Sequence, residues 1–440
     1  MKTMRKVFFN TLLIFLLVGI LQAESASGSD LQKTYTWKYN IGKDGNVTAD
    51  NYDCNLTIHV WDKAETEYRL AIDATSLTEE DKELLDKFLQ NMKFSNGTTS
   101  VRFRSNFWKN RNTIMGRTKM ELEGGRDIAL SEFSMKAELW IPSGCTFELI
   151  SKYSVINLEE FSGPLSLNLY NDNLYAGSIT GKTELEAKYC SLDFKDLKDL
   201  NANLYNTKLD AQNTGNMRID SKYSRIVAVK SGTLEIDSYN DKYTIPLTGD
   251  ITFTSKYSDL KTESSGMLRL DCYEGTILLK DVKDIELTSK YADFQIGSAE
   301  NISITSAYNN KLTMGKLSSL KINESKYCSY KIDELVYSVT ENTGYEDKFN
   351  IARTGSSFRE INISGKYVDV SLFMPETTDF RLRAKIQYPK LEMDESKFKT
   401  KIKISEGSKL EYDAVKGTEK DGMPSIEVNG YQIALKISTI

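Results

Sequence analysis

Reactive side chains are few in this chain, and most of those present recur too often to be a unique site. Histidine occurs once, as His59, in an alternating stretch with Thr57 and Trp61. No histidine-based triad, dyad or multi-histidine metal site can be built on it, so it reads as a strand residue. No P-loop, dinucleotide fingerprint or CxxC is present. Ser-Lys pairs such as Ser221-Lys222 and Ser255-Lys256 resemble a nucleophile and its base, but near-copies in successive repeats point to architecture. Polysaccharide lyases and hydrolases built on β-helices need clustered carboxylates in a groove. Glu159-Glu160, and Asp196 with Asp199, are the candidates, and they read as solvated turns. Acid and amide residues at Asn171-Asp172, Asn240-Asp241, Glu274, Asn309-Asn310 and Glu346-Asp347 could hold calcium. The glycine-aspartate nonapeptide of calcium-roll proteins is missing, however, and no metal or cofactor is expected.

Two cationic-aromatic patterns remain. Arg102, Arg104, Lys109, Arg111, Arg117 and Lys119 are interleaved with Phe103, Phe107 and Trp108. In a chain of net charge -5 these read as a surface hairpin, not a nucleic-acid site. The other pattern is a ladder: Lys152-Tyr153, Lys188-Tyr189, Lys222-Tyr223, Lys256-Tyr257, Lys290-Tyr291 and Lys326-Tyr327, with Lys366-Tyr367 beyond. On stacked coils about 4.8 Å apart, lysines of alternate coils would lie roughly 10 Å apart. Such a row could hold an extended anionic or sugar polymer. It could equally be a tyrosine stack, with each lysine paired to acids or amides on adjacent coils.

The spacing of the ladder describes the elements that carry it. A second tyrosine series, Tyr170, Tyr205, Tyr239, Tyr273, Tyr308 and Tyr345, falls between the Lys-Tyr pairs, which defines half-units of about 17 residues within double repeats of about 34. Each half-unit has a short alternating strand, a corner and a second alternating strand; Ile285, Leu287 and then Ala292, Phe294, Ile296 are one example. Two corner types are expected. Only two residues separate the inward positions at Lys-Tyr, as from Ser221 to Ser224, whereas four do so in the second series, as from Leu204 to Leu209. The pattern predicts an all-β fold, a parallel β-solenoid (β-helix) with one short helix near the N-terminus. A β-propeller or a curled antiparallel sheet is the alternative.

The 440 residues are 27% charged and 40% hydrophobic, enough for a large core in a folded chain. A basic start, the apolar run 7–21 and small residues near Ala23 predict a signal peptide over residues 1–23 and export of the mature chain. No later segment is apolar enough to span a bilayer. Five cysteines in an exported protein raise the question of disulfides. Cys190 and Cys328 occupy equivalent places many repeats apart, so buried free thiols are expected, with a local Cys54–Cys145 pair as the alternative. The remaining segments are a β-rich stretch 24–138 with a helix near 79–92, repeats over 139–394 and capping strands over 395–440.

The opening "GNVTADNYDCNLTIHVWDK", the phrase "WIPSGCTFEL" and repeats of the "SKYSVINL" kind carry a family resemblance. In these the chain resembles the adhesin-like β-strand-repeat family, exported bacterial envelope proteins of unknown function likened to autotransporter adhesin heads. The resemblance covers most of the mature chain. It implies a right-handed β-solenoid in the envelope (periplasmic, outer-membrane-associated or extracellular) and supplies no catalytic residues. The expected function is therefore non-catalytic binding or scaffolding, with a glycan, an envelope polymer or another envelope protein as partner. The rival is a β-helix enzyme acting on polysaccharide.

Overall fold

The computed structural model describes residues 29–439, so the expected signal peptide lies outside it. The described chain forms two compact units. One contains Asp73–Asn91 and Trp108–Phe133. Its helix, Glu79–Gln90, starts at Thr78, whose hydroxyl accepts the Asp81 N–H, and has three acids in its first turn. It ends two residues before the expected position because the Asn91 side chain caps the Lys87 carbonyl. Trp108–Ile114, Arg117–Leu122 and Asp127–Leu130 form an antiparallel three-stranded sheet in the same unit. The expected basic hairpin is thus present for Lys109, Arg111, Arg117 and Lys119. Arg102 and Arg104 belong to strand Ser100–Arg104 of the other unit.

The larger unit is a parallel β-solenoid, as the alternation predicted. Leu200 pairs with Met217 and Met217 with Leu234, each step carrying a whole strand onto its equivalent in the next coil. The second strands pair in the same way, Lys208 with Arg225 and Arg225 with Lys242. Inward positions form apolar columns that include Phe147, Phe194, Phe253 and Phe294, all buried. Glycine serves the far turn, where backbones touch: a Cβ on Gly215 would lie 1.6 Å from the Lys198 carbonyl oxygen.

The two ends of the stack depart from chain order. Asn46–Tyr52 lies between Ser100–Arg104 and Thr146–Lys152, so the coil at 46–61 stacks directly on repeats from beyond residue 139. At the other end Ser425–Tyr431 inserts between Glu360–Lys366 and Phe380–Gln387. The last edge is then covered antiparallel by Lys409–Lys416, which in turn pairs with Phe398–Glu406. Pairing of this kind covers the parallel edge of Phe380–Gln387 with an antiparallel strand.

The two expected corner types are in fact one. Each repeat corner has a residue in the left-handed region, whether Tyr223 (φ 57°) or Asn206 (φ 47°), and in most corners the next residue points inward, as Ser224 and Thr207 do. Thr207, Asp172, Asp241, Asn310 and Asp347 are buried, not solvated. Polarity concealed their direction, and their hydrogen bonds explain it. At one corner the Tyr223 N–H donates to the next coil and the Arg225 N–H to the preceding one. The Ser224 N–H between them points inward and reaches Asp241 Oδ1 at 2.5 Å. The same relay runs from Cys190 N–H to Thr207 Oγ1, from Thr207 N–H to Ser224 Oγ and from Asp241 N–H to Ser258 Oγ. At these corners the following coil thus supplies the acceptor that its neighbour needs.

All five cysteines are buried and free, so the Cys54–Cys145 pair does not form. Burial pushes the Cys54, Cys145 and Cys272 thiols up to about 12 and Cys190 up to about 11. Such thiols are inert structural groups.

Asp241 also accepts from the Ser221 and Ser238 hydroxyls and from the Tyr239 N–H. Asp241→Ala should cost about 2–4 kcal/mol by stranding buried donors, measured by urea unfolding. Asp241→Asn should cost less, since Asn310 fills the equivalent place.

One core column contains a misfit. Glu341 pairs in register with Ile322 and Ile363, points inward and is 1% exposed, and the one polar side chain its carboxyl faces is the Asp347 carboxyl. Burial, then the nearby Asp347 charge, push its carboxyl from 4.5 up to about 9. The folded protein therefore holds a proton that the unfolded chain releases. Stability from this group is full below pH 4.5 and is lost as pH rises towards 9. Glu341→Gln should flatten the dependence of the urea midpoint on pH across that window, and an unchanged slope would refute this protonation.

Candidate functional site

At each corner one of the two outward positions is a tyrosine, and the choice of position alternates from coil to coil. Lys188 pairs with Tyr205, Tyr205 with Lys222, Lys222 with Tyr239 and Tyr239 with Lys256. The tyrosine therefore stands first in one coil and second in the next. The rings form an unbroken file: Tyr52, Tyr153, Tyr170, Tyr189, Tyr205, Tyr223, Tyr239, Tyr257, Tyr273, Tyr291, Tyr308, Tyr327, Tyr345, Tyr367, Tyr431 and Tyr388. Adjacent rings meet edge to face, with centroids 5.4–5.7 Å apart and planes at 72–85°. Alternating attachment makes that possible. Rings from one position would follow the strand spacing of about 4.8 Å, whereas the staggered rings sit wider, at 5.4–5.7 Å.

The structure brings the predicted ladder residues Lys152, Tyr153, Lys188, Tyr189, Lys222, Tyr223, Lys256, Tyr257, Lys290, Tyr291, Lys326 and Tyr327 into one ridge. The ladder tyrosines from Tyr153 to Tyr327 are the more open, at 42–46% exposed against 36–38% for Tyr52, Tyr205, Tyr239 and Tyr273, while Tyr367 near the C-terminal end is 38% exposed. Burial among neighbouring rings raises the phenol pKa of Tyr189, Tyr223, Tyr257 and Tyr291, which remain protonated donors at neutral pH. The lysines differ from the paired arrangement considered above. Among the described residues no ion pair involves Lys152, Lys188, Lys222, Lys256 or Lys290, and Lys326 pairs with Glu324 of its own strand at 2.9 Å. The physical reason is the register: the cross-coil neighbour of each lysine is a tyrosine, not an acid.

The other candidate groups are dispersed. Glu159 accepts from His59 Nδ1 (2.8 Å) and the Val60 N–H (2.9 Å), while Glu160 pairs with Lys195. Asp196 accepts from Ser178 and Asn213, and Asp199 from the Asn216 N–H. Among the described residues no group of three or more His, Cys, Asp or Glu could hold a metal ion. A feature the sequence reading missed is a groove of about 660 Å³ on the first-strand face, bordered by Glu184, Glu186, Asp220, Glu235 and Asp237. Its signal was the period-2 acids of successive first strands, which align only once the coils are in register.

No family model matches the chain, and no curated protein is similar to it. Among solved structures the chain is similar to a protein from Clostridium sporogenes ATCC 15579 described as a "putative cell adhesion protein". The match has 9% identity and a TM-score of 0.17 and covers 93% of this chain and 100% of the other, which is too distant to carry an argument. No described helix is long and apolar enough to cross a membrane. The class defined by fold and site is an all-β parallel solenoid bearing a tyrosine–lysine ridge.

The left-handed corner separates ring packing from backbone strain. Tyr257→Ala removes two edge contacts and keeps the strained φ of 60°. Tyr257→Asn removes the same contacts, but Asn tolerates that conformation. The Asn variant should be the more stable of the two by about 1 kcal/mol in chemical unfolding, and equal losses would show that the backbone is unstrained there.

Proposed function

We propose that the protein is an exported, non-catalytic binding protein of the cell envelope, adhesin-like, whose ridge holds an extended anionic glycan or envelope polymer. The observation that carries this reading is the row of unpaired lysines. Ring-to-ring contacts account for the tyrosines, but stability does not account for lysine at the other position, where Gln387 stands in one coil. A cation on every second coil, beside phenol hydroxyls at each coil, offers charge and hydrogen bonds at the period of a linear polymer. In-register strands hold these groups in place before any ligand arrives, which lowers the entropy lost on binding.

The acid-lined groove favours a second reading, a polysaccharide-cleaving enzyme. A proton donor there would need a raised pKa. Glu184 shows the reverse, being held below the ordinary carboxylate range by the Lys182 ammonium and the Asn201 amide.

The test is binding of the mature protein to envelope fractions and a glycan array, beside Lys222→Ala/Lys256→Ala/Lys290→Ala. A loss of about tenfold or more at unchanged melting temperature is expected. Unchanged binding removes the ridge from the reading, and release of new reducing ends from any glycan would favour the enzyme.

A further inference from the structure

The outward face of the second strands carries side chains in near-continuous columns. One column runs Thr57, Asn157, Tyr175, Asp193, and the next carries Glu159 beside Gly177 and Lys195. Gly177 leaves a gap of one side chain in that column. The fold requires glycine there, because a Cβ would lie 2.9 Å from the Glu160 backbone nitrogen. The fold does not require what surrounds the gap, a cleft of about 370 Å³.

Three features of the lining point to a ligand. Tyr175 is 54% exposed and has no partner in the tyrosine file, so its ring lies in water beside the gap. Glu159 is fixed from behind by an aromatic relay: the Arg69 guanidinium lies 4.2 Å over Trp140, which stacks on His59 at 4.6 Å, and His59 holds Glu159. The Val60 N–H holds the other carboxylate oxygen, so an exposed acceptor is oriented before anything binds. Lys195 reaches across the gap to Glu160 at 3.2 Å, an exposed pair worth about 0–1 kcal/mol and readily displaced.

We propose that this cleft is a carbohydrate subsite that takes one neutral sugar residue of a glycan chain against the Tyr175 ring. A sugar presents an apolar C–H face to an aromatic ring and vicinal hydroxyls at its rim. Tyr175 supplies the ring, and Glu159, Asn157, Thr57 and Gln212 supply acceptors and donors around it. The volume falls in the range of small-ligand sites. Charge decides between sugar types: two carboxylates, Glu159 and Asp193, border the cleft against one lysine, Lys195, so a neutral residue is preferred to a uronate. The subsite is separate from the ridge and stands without it.

The experiment titrates mature protein with chitohexaose, maltoheptaose and oligogalacturonate, following ligand saturation-transfer NMR and tyrosine fluorescence. Tyr175→Ala and Glu159→Gln are the cleft variants, and the triple lysine variant is the control. Saturable binding of a neutral oligosaccharide is expected, weakened about tenfold or more by each cleft variant at unchanged melting temperature and unaffected by the lysine changes. The proposal is overturned by absence of neutral-sugar binding, by binding indifferent to both cleft variants, or by preference for oligogalacturonate. Loss in the lysine variant alone would also overturn it while supporting the ridge.

Discussion

An inward-pointing N–H at each corner governs much of this molecule. A chain that turns from one strand of a coil to the next within two residues must place one of them in the left-handed region, at a cost of about 1–2 kcal/mol for a residue other than glycine. The next N–H then leaves the sheet ladder and faces a core of Leu, Ile and Phe. Left alone, such a donor would cost a further 1–3 kcal/mol or so. The next coil answers with a small polar side chain: Asp241 for Ser224, Ser258 for Asp241, Asn310 for Ala292. Where Gly275 offers no side chain the relay stops, and it resumes at Ala292. Coil stacking is therefore reciprocal, since a corner is satisfied by the coil that follows it.

The outer surface of the same corner is organised by ring geometry. Strand spacing is fixed by backbone hydrogen bonds at about 4.8 Å, and the edge-to-face tyrosines sit wider, at 5.4–5.7 Å between centroids. Alternating the ring between two positions accommodates both and opens a position for lysine on every second coil. The rule also bears on the C-terminal end. Tyr367 and Tyr388 both occupy second positions and could not be neighbours under it. Ser425–Tyr431 enters between their strands with Tyr431 in a first position, and the alternation continues through the break in chain order.

Ridge and cleft differ in how much of their makeup the fold explains. The ridge tyrosines pack on one another, so their presence follows from stability, and only the unpaired lysines ask for a ligand. In the cleft the glycine follows from backbone crowding, whereas the unstacked Tyr175 and the braced Glu159 do not. Glu159 and His59 also show how sequence reading can err in both directions. His59 is a strand residue as expected, yet it orients a carboxylate far away in the chain that had read as an ordinary turn acid.

Much of this was legible in the sequence because a solenoid is built from local rules. Period-2 alternation gave the strands, the tyrosine spacing gave the coils, and Thr78 with the acids after it gave the helix. The ladder residues were identifiable because they repeat. Tertiary structure alone decided whatever depends on a partner in another coil. It turned Thr207, Asp241 and Asn310 inward, since polar residues are buried only where a neighbouring donor waits. It left all the ladder lysines from Lys152 to Lys290 without acids, placed Ser425–Tyr431 out of chain order and set Glu159 against His59. The sequence determined the unit, because its pattern is written within one coil, while stacking decided the partners, because those contacts form only between coils held in register.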